Sequence, residues 1–370
     1  MKIHYTEETP RKIRDYDISE PELGPEEVED IAEIFKTPLT GTFNWDYSIQ
    51  DNRIAKLYEL GKKLNWNVSM DIDWDRPMVV SEEIPVMFWD EYPPYKRLND
   101  EQKREFLRHR GASQFSQFLH GEQGALLVAS QLVSCAPTYQ AKLYAASQAF
   151  DEARHVEAFT KYIQTRSKLM YPVGSGLKSL LDKILTDERW DLKLIGMQII
   201  IEGLALAAFN TAKAVTPDPV LRDILHLIIR DEARHVTFGV NYLEDYLKTL
   251  SKSEIDDRAE FAFEACVVMR NRLISGDVIA RFLDYTPEEA QAAAENTEQG
   301  QNFRTLLFTK IIPNLKRIGL LNDKVMPKYE KLGVLSYAEL EDNFDIDWAD
   351  MSKPYETQEE IERFISNPHH

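Results

Sequence analysis

The sequence predicts an all-α protein, a four-helix bundle carrying extra helices and an irregular N-terminal arm. Three observations carry this. Between Asp100 and Leu250 apolar residues recur at helical spacing in stretches rich in Ala, Leu, Gln, Glu and Arg, with breaks only around Ser134–Thr138, Tyr171–Gly176 and Thr216–Pro219. No segment alternates strongly enough to build a sheet. The stretch Asp151-Glu152-Ala153-Arg154-His155-Val156 recurs letter for letter as Asp231-Glu232-Ala233-Arg234-His235-Val236, eighty residues later, so the bundle reads as a duplicated helix pair.

Residues 1–98 hold Pro10, Pro21, Pro25, Pro38, Pro77, Pro85, Pro93 and Pro94 and four tryptophans, and are helical in pattern only at Pro25–Lys36 and Asn52–Leu64. They read as an arm packed on the core. Residues 99–250 form the bundle. Residues 251–370 add a helix at about Ser253–Ser275, another at about Asn302–Ile318, and a polar, acidic tail from Ser336, all in the same globule.

At 370 residues, 43% hydrophobic and 29% charged, the chain can bury a sizeable core. The formal charge of -18 repels phosphate backbones and anionic lipid, so neither nucleic acid nor a membrane surface is an expected partner. Cys135 and Cys266 are the only cysteines, which leaves no disulfide framework and no thiolate metal site. Met1–Asp17 has no signal-peptide core, and the apolar run Ile199–Phe209 is broken by Glu202, so a cytoplasmic protein is expected.

Helical residues three apart share a face, so Glu152 with His155, and Glu232 with His235, are each a ready chelate. Glu122 and Glu202 each lie thirty residues before the glutamate of their pair, and the midpoints are Pro137 and Pro217, inside the predicted turns. Each hairpin thus brings its two glutamates to one height, about 22 Å from the turn at a rise of about 1.5 Å per residue. Two hairpins face to face gather four glutamates and two histidines in one layer. Such a set is very costly in an apolar core unless divalent cations neutralise it, and mixed carboxylate and imidazole donors suit iron or manganese.

This pattern resembles the ferritin-like di-iron carboxylate superfamily over about residues 100–250. The resemblance implies two iron ions per chain, or manganese or a mixed pair, held by Glu122, Glu152, His155, Glu202, Glu232 and His235. The Asp-Glu-x-Arg-His form looks most like the hydroxylase subunits of bacterial multicomponent monooxygenases and related oxygenases, in which the Asp before each Glu supports the ligands. A metal-bound imidazole needs an acceptor for its other N–H. Asp231 would hold His155, Asp151 would hold His235, and Arg154 and Arg234 would neutralise the aspartates; an ordinary helix-surface ion pair is the alternative.

The branch is narrowed by departures. Ribonucleotide reductase small subunits carry a radical tyrosine where this chain has Phe159. The multicomponent hydroxylases place a Thr where Leu206 stands. Arylamine N-oxygenases, similar in size, add a seventh ligand, a His one turn before the second Glu-x-x-His, where this chain has Ile228. Phe115, Phe118, Phe159, Ile199, Ala205, Leu206 and Phe209, with Gln148 and Gln198, share the ligand faces and are candidates for a substrate pocket, though such a stripe also suits plain core. Gly203 either loosens the helix beside Glu202 or permits close packing.

The function expected from the resemblance is an O2-activating di-iron oxygenase or oxidase that hydroxylates, N-oxygenates or desaturates a small apolar or aromatic substrate. The alternatives are a reductase-small-subunit-like oxidase and a non-enzymatic iron-binding or ferroxidase protein. No flavin, nicotinamide or iron–sulfur signature is present, so electrons are expected from a separate reductase or ferredoxin. A homodimer is open.

Overall fold

The computed structural model describes residues 14–15, 35–37, 39–49, 51–79, 92–270, 276–286 and 307–343, with single residues 288, 289, 292, 296 and 305. Four long helices dominate: α2 (Asp100–Cys135), α3 (Tyr139–Tyr162), α5 (Trp190–Val215) and α6 (Pro219–Leu247). Helix α1 (Asn52–Lys63) precedes them, and α4 (Ser175–Thr186) crosses from the first hairpin to the second.

Local chemistry sets the helix ends. Asn99 and Gln102 form a reciprocal capping box at the start of α2, the Thr138 hydroxyl caps α3, and Asp218 caps α6, with Pro219 at its first position. The hairpin turns fall at Ala136–Thr138 and Thr216–Asp218, around Pro137 and Pro217.

Where the sequence predicts one helix from the Tyr171–Gly176 break to Val215, the chain breaks again at Asp187–Arg189. Lys193, wholly buried, explains the break: its ammonium donates to the carbonyls of Ile184 (2.8 Å), Leu185 (3.4 Å) and Asp187 (2.8 Å), satisfying the exposed end of α4. Within α5 the residues Ile195–Ile201 form a π-helical segment ending at Glu202. The loosening thus lies before Glu202, and Gly203 does the other job considered for it: a Cβ there would lie 3.2 Å from Ile311.

Three further expectations change. A two-residue antiparallel pairing joins β1 (Arg14–Asp15) to β2 (Leu169–Met170), too short for any sequence signal. Of the expected helix at Asn302–Ile318, residues 302–304 and 306 fall outside the described residues, Thr305 is helical, residues 307–311 are hydrogen-bonded turns, and α9 (Ile312–Arg317) follows with Pro313 in its first turn. The Pro25–Lys36 helix falls outside the described residues except Phe35 and Lys36, which are not helical. After α6 come α7 (Lys252–Arg270), α8 (Gly276–Leu283), α9 and α10 (Met326–Lys331), then a 3-10 turn at Leu335–Glu339.

Most of these parts share one buried cluster, while a second, smaller one packs Tyr95, Phe106 and Leu169 with Val278, Ile279 and Leu283 of α8. Ile54, Leu57, Trp66 and Val68 from the arm, and Leu307, Phe308, Leu315 and Tyr329 from the C-terminal region, belong to the same buried cluster as the bundle helices. Helix α5 is long and apolar enough to cross a membrane, yet 94% of its most apolar window is buried inside the protein, which makes it the bundle's central helix.

Gly196, in the π segment, tests this packing, since a Cβ there would lie 2.6 Å from two carbons of Ile184. Helix propensity alone favours alanine by about 1 kcal/mol, whereas overpacking costs about 1–3 kcal/mol. Gly196→Ala is therefore expected to lower the thermal midpoint; an unchanged or raised midpoint would show that Ile184 yields freely.

Candidate metal centre and substrate cleft

The six residues singled out by the repeat converge in the middle of the bundle, each at most 5% exposed. Ligand atoms of Glu122, Glu152, His155 and Glu232 form one cluster within 4.8 Å of one another, and those of Glu152, Glu202 and His235 form a second, with Glu152 common to both. Both histidines turn Nδ1 inward. His155 Nδ1 lies 3.1 Å from Glu122 Oε2 and 3.2 Å from oxygens of Glu152 and Glu232, and His235 Nδ1 lies 3.1 Å from Glu152 Oε1.

The outward nitrogens cross between hairpins. His155 Nε2 faces Asp231 Oδ2 at 3.3 Å, and His235 Nε2 faces Asp151 Oδ2 at 3.1 Å. Arg154 bridges Asp151 (2.5 Å) and Asp231 (3.3 Å), and Arg234 bridges Asp151 (2.6 Å) and Asp231 (3.0 Å). All four are buried, so this is no surface ion pair. It is a closed ring of two aspartates and two arginines locking the hairpins together.

Sequence reasoning missed Trp66. Its indole N–H donates to Asp231 Oδ2 at 2.7 Å, its ring lies near-parallel to the His155 imidazole at 6.3 Å, and the Arg154 guanidinium sits 5.3 Å from its centre. The chain after α1 is pinned here by two further bonds, Arg154 to Asn65 Oδ1 (2.5 Å) and Arg230 to the Leu64 carbonyl (2.7 Å). The available signal was a tryptophan directly after an amphipathic helix.

The electrostatics are those of too many acids in too little water. Burial pushes Glu122 up to about 7, and burial together with the neighbouring Glu152 and Glu122 pushes Glu202 and Glu232 well above the carboxylate range. Burial acts on Glu152 in the same sense, but His235 and His155 overcome it and hold that carboxyl below the range. Burial opposes charge on both histidines, yet Glu152 and Asp151 raise His235 to about 9, and Asp231 with the surrounding glutamates raises His155 well above the usual imidazole range. Glu202 Oε2, Glu232 Oε2 and His235 Nδ1 have no hydrogen-bond partner although they are buried. Inward lone pairs without donors are what a pair of divalent cations would satisfy, so the donor set fits two metal ions.

A narrow cleft, partly open to solvent and holding only about 10 Å³ of water-accessible space, reaches this cluster. It is lined by Phe118, Ala205 and Phe209 with Glu122, Glu202 and Glu232, and also by Gly121, Ala125, Ile201 and Leu204. The other expected pocket residues lie elsewhere. Phe159 stands behind the wall, 6.0 Å from Phe118 and 5.9 Å from Phe209, while Phe115 packs on Tyr162. Ile199 and Leu206 are plain core, and Gln148 and Gln198 bond to each other beside the glutamates. Ala125, three residues on, shares the Glu122 face by simple helical spacing and was legible, whereas Gly121, adjacent to Glu122, was not; both are small where they line the cleft.

Residues 49–319 match the family model of the p-aminobenzoate N-oxygenase AurF. The chain belongs to the AurF family. It is an O2-dependent oxidoreductase with a two-metal carboxylate centre, acting on an organic substrate. Of the two branches the sequence resembles, the family match is to the N-oxygenases and not to the multicomponent hydroxylases. This AurF-family chain carries Ile228, fully buried, at the position of the seventh-ligand histidine, and His226 points instead toward Lys213 Nζ at 3.3 Å.

Among solved structures, an R2-like ligand-binding oxidase with an aerobically reconstituted metal cofactor after photoconversion is 17% identical, aligning over 72% of this chain and 93% of its own with a TM-score of 0.48. An R2-like ligand-binding oxidase from Sulfolobus acidocaldarius is 20% identical over 67% of this chain and 95% of its own, with a TM-score of 0.42. No curated protein matches the chain.

The ion ring makes a stability prediction. Asp231→Ala leaves two buried guanidinium groups and an indole N–H short of an acceptor, and is expected to cost about 3–5 kcal/mol. Asp231→Asn keeps an acceptor and should cost less. Denaturant unfolding of metal-free protein measures both; a loss under about 1 kcal/mol for the alanine variant would show that Asp151 alone carries the ring.

Proposed function

We propose that the chain N-oxygenates a small arylamine, using two iron ions held by Glu122, Glu152, His155, Glu202, Glu232 and His235. The observation that carries the reading is the cleft: an aromatic wall of Phe118 and Phe209 leads directly to three of the four glutamates. The two edge-to-face rings, 4.7 Å apart, offer an aromatic surface on which an aryl group would pack once the narrow cleft widens to admit it. The metal pair, when bound, supplies O2 activation and the oxidising equivalents. The ligand atoms gather as two overlapping sets, Glu122, Glu152, His155 and Glu232, and Glu152, Glu202 and His235, and each set would hold one ion.

The chain's own residues do the rest. Asp231 and Asp151 fix the ring planes of the two histidines so that Nδ1 faces inward. Ile201, Leu204 and Ala205 exclude water from the side of the cluster that opens to substrate. Electrons come from a separate reductase or ferredoxin. The buried, unpaired Cys135 and Cys266 suit a reducing cytoplasm.

Elemental analysis of protein loaded anaerobically with iron is expected to give two ions per chain, and Glu232→Ala at most one. Chemically reduced protein given O2 and p-aminobenzoate or an uncharged aniline in single turnover is expected to add one oxygen at nitrogen. Many irons per chain with no oxygenated amine would replace this reading with iron storage. Sustained turnover on NADH alone would rule out the separate donor.

A further inference from the structure

Two fully buried amides stand against the glutamates and have no part in the reading above. Gln148, on α3, directs its Nε2 to Glu202 Oε1 at 2.9 Å and to Glu152 Oε1 at 3.2 Å. Gln198, in the π segment of α5, donates its own Nε2 to Gln148 Oε1 at 3.2 Å. Both are 0% exposed. The amide orientation follows from the partners, since an Oε1 turned toward two carboxylate oxygens would repel both. Gln198 is itself held in place by α6, where a Cβ on Gly239 would lie 2.7 Å from the Gln198 Cβ.

The duplication shows that these amides are one-sided. Eighty residues from Gln148 stands Ile228, and eighty residues before Gln198 stands Phe118, both buried and apolar. The Glu202 half of the centre therefore has an amide backing that the Glu122 half lacks. An amide suits the task because it offers two donors on one nitrogen without adding charge. Of the two ligand clusters, the one with Glu152, Glu202 and His235 contains both glutamates that Gln148 holds; the other contains only Glu152.

We propose that Gln148 is a positioning residue that fixes Glu202 against Glu152, that Gln198 orients it, and that the two metal positions are for this reason unequal. The inference rests on the six-ligand reading. Its test keeps the two apart. Metal-free protein is titrated anaerobically with Mn(II), the free ion being followed by electron paramagnetic resonance. Wild-type protein is expected to bind two ions in two resolvable steps. Gln148→Met, nearly the same shape without the amide, is expected to weaken one step by about 10–100-fold and to leave the other within about threefold. Gln198→Met, which leaves Gln148 in place, should weaken the same step by less, and decides the matter if Gln148→Met does not fold. Two steps unchanged in the variants, or both weakened alike, would overturn the positioning role. Wild-type protein that binds no Mn(II) would overturn the metal centre itself.

Discussion

Carboxylates removed from water must meet cations, and the centre of this bundle is organised around that requirement at two levels. The inner level is the set of four glutamates, three of them pushed toward the neutral acid by burial and by one another. The outer level is already settled within the protein, because two arginines and two aspartates cancel in a closed ring. The ring holds the aspartates as fixed partners of the outward histidine nitrogens, and so sets which imidazole nitrogen faces inside.

Packing follows from the same arrangement. Helices α3 and α6 carry the ring and are held at one separation by it, while α2 and α5 bring Glu122 and Glu202 to the same layer and leave the cleft between them. Small residues on both, Gly121 and Ala125 on α2 and Ala205 on α5, keep that space from filling. The arm adds the buried Trp66, which packs against Arg154 of the ring and donates a hydrogen bond to Asp231.

Much of this was legible because it is periodic. Spacings of three and thirty residues and a verbatim repeat specify the four long helices, the two turns and the six converging side chains without any tertiary information. Hidden features are those in which period is broken or distance in sequence is large. The π segment shifts the phase of α5, bringing Ile201 and Leu204 to the cleft while Ile199 goes to the core. Trp66 meets Asp231 across 165 residues, and no local pattern encodes that meeting. The break at Asp187–Arg189 depends on Lys193 folding back onto carbonyls, which propensity reads only as a tolerated helix residue.

The crossed wiring bears on the history of the duplicated chain. A hairpin alone retains two glutamates and a histidine, but the group that sets that histidine's ring plane belongs to its sibling. Each copy is thus both client and supplier of the other, and a change in either aspartate is felt first in the opposite half. Elsewhere the copies have gone separate ways: Gln148 corresponds to Ile228, and Gln198 to Phe118. In the six-residue stretch where they trade partners they are still letter-for-letter the same, as two halves must be when neither can drift without taking the other along.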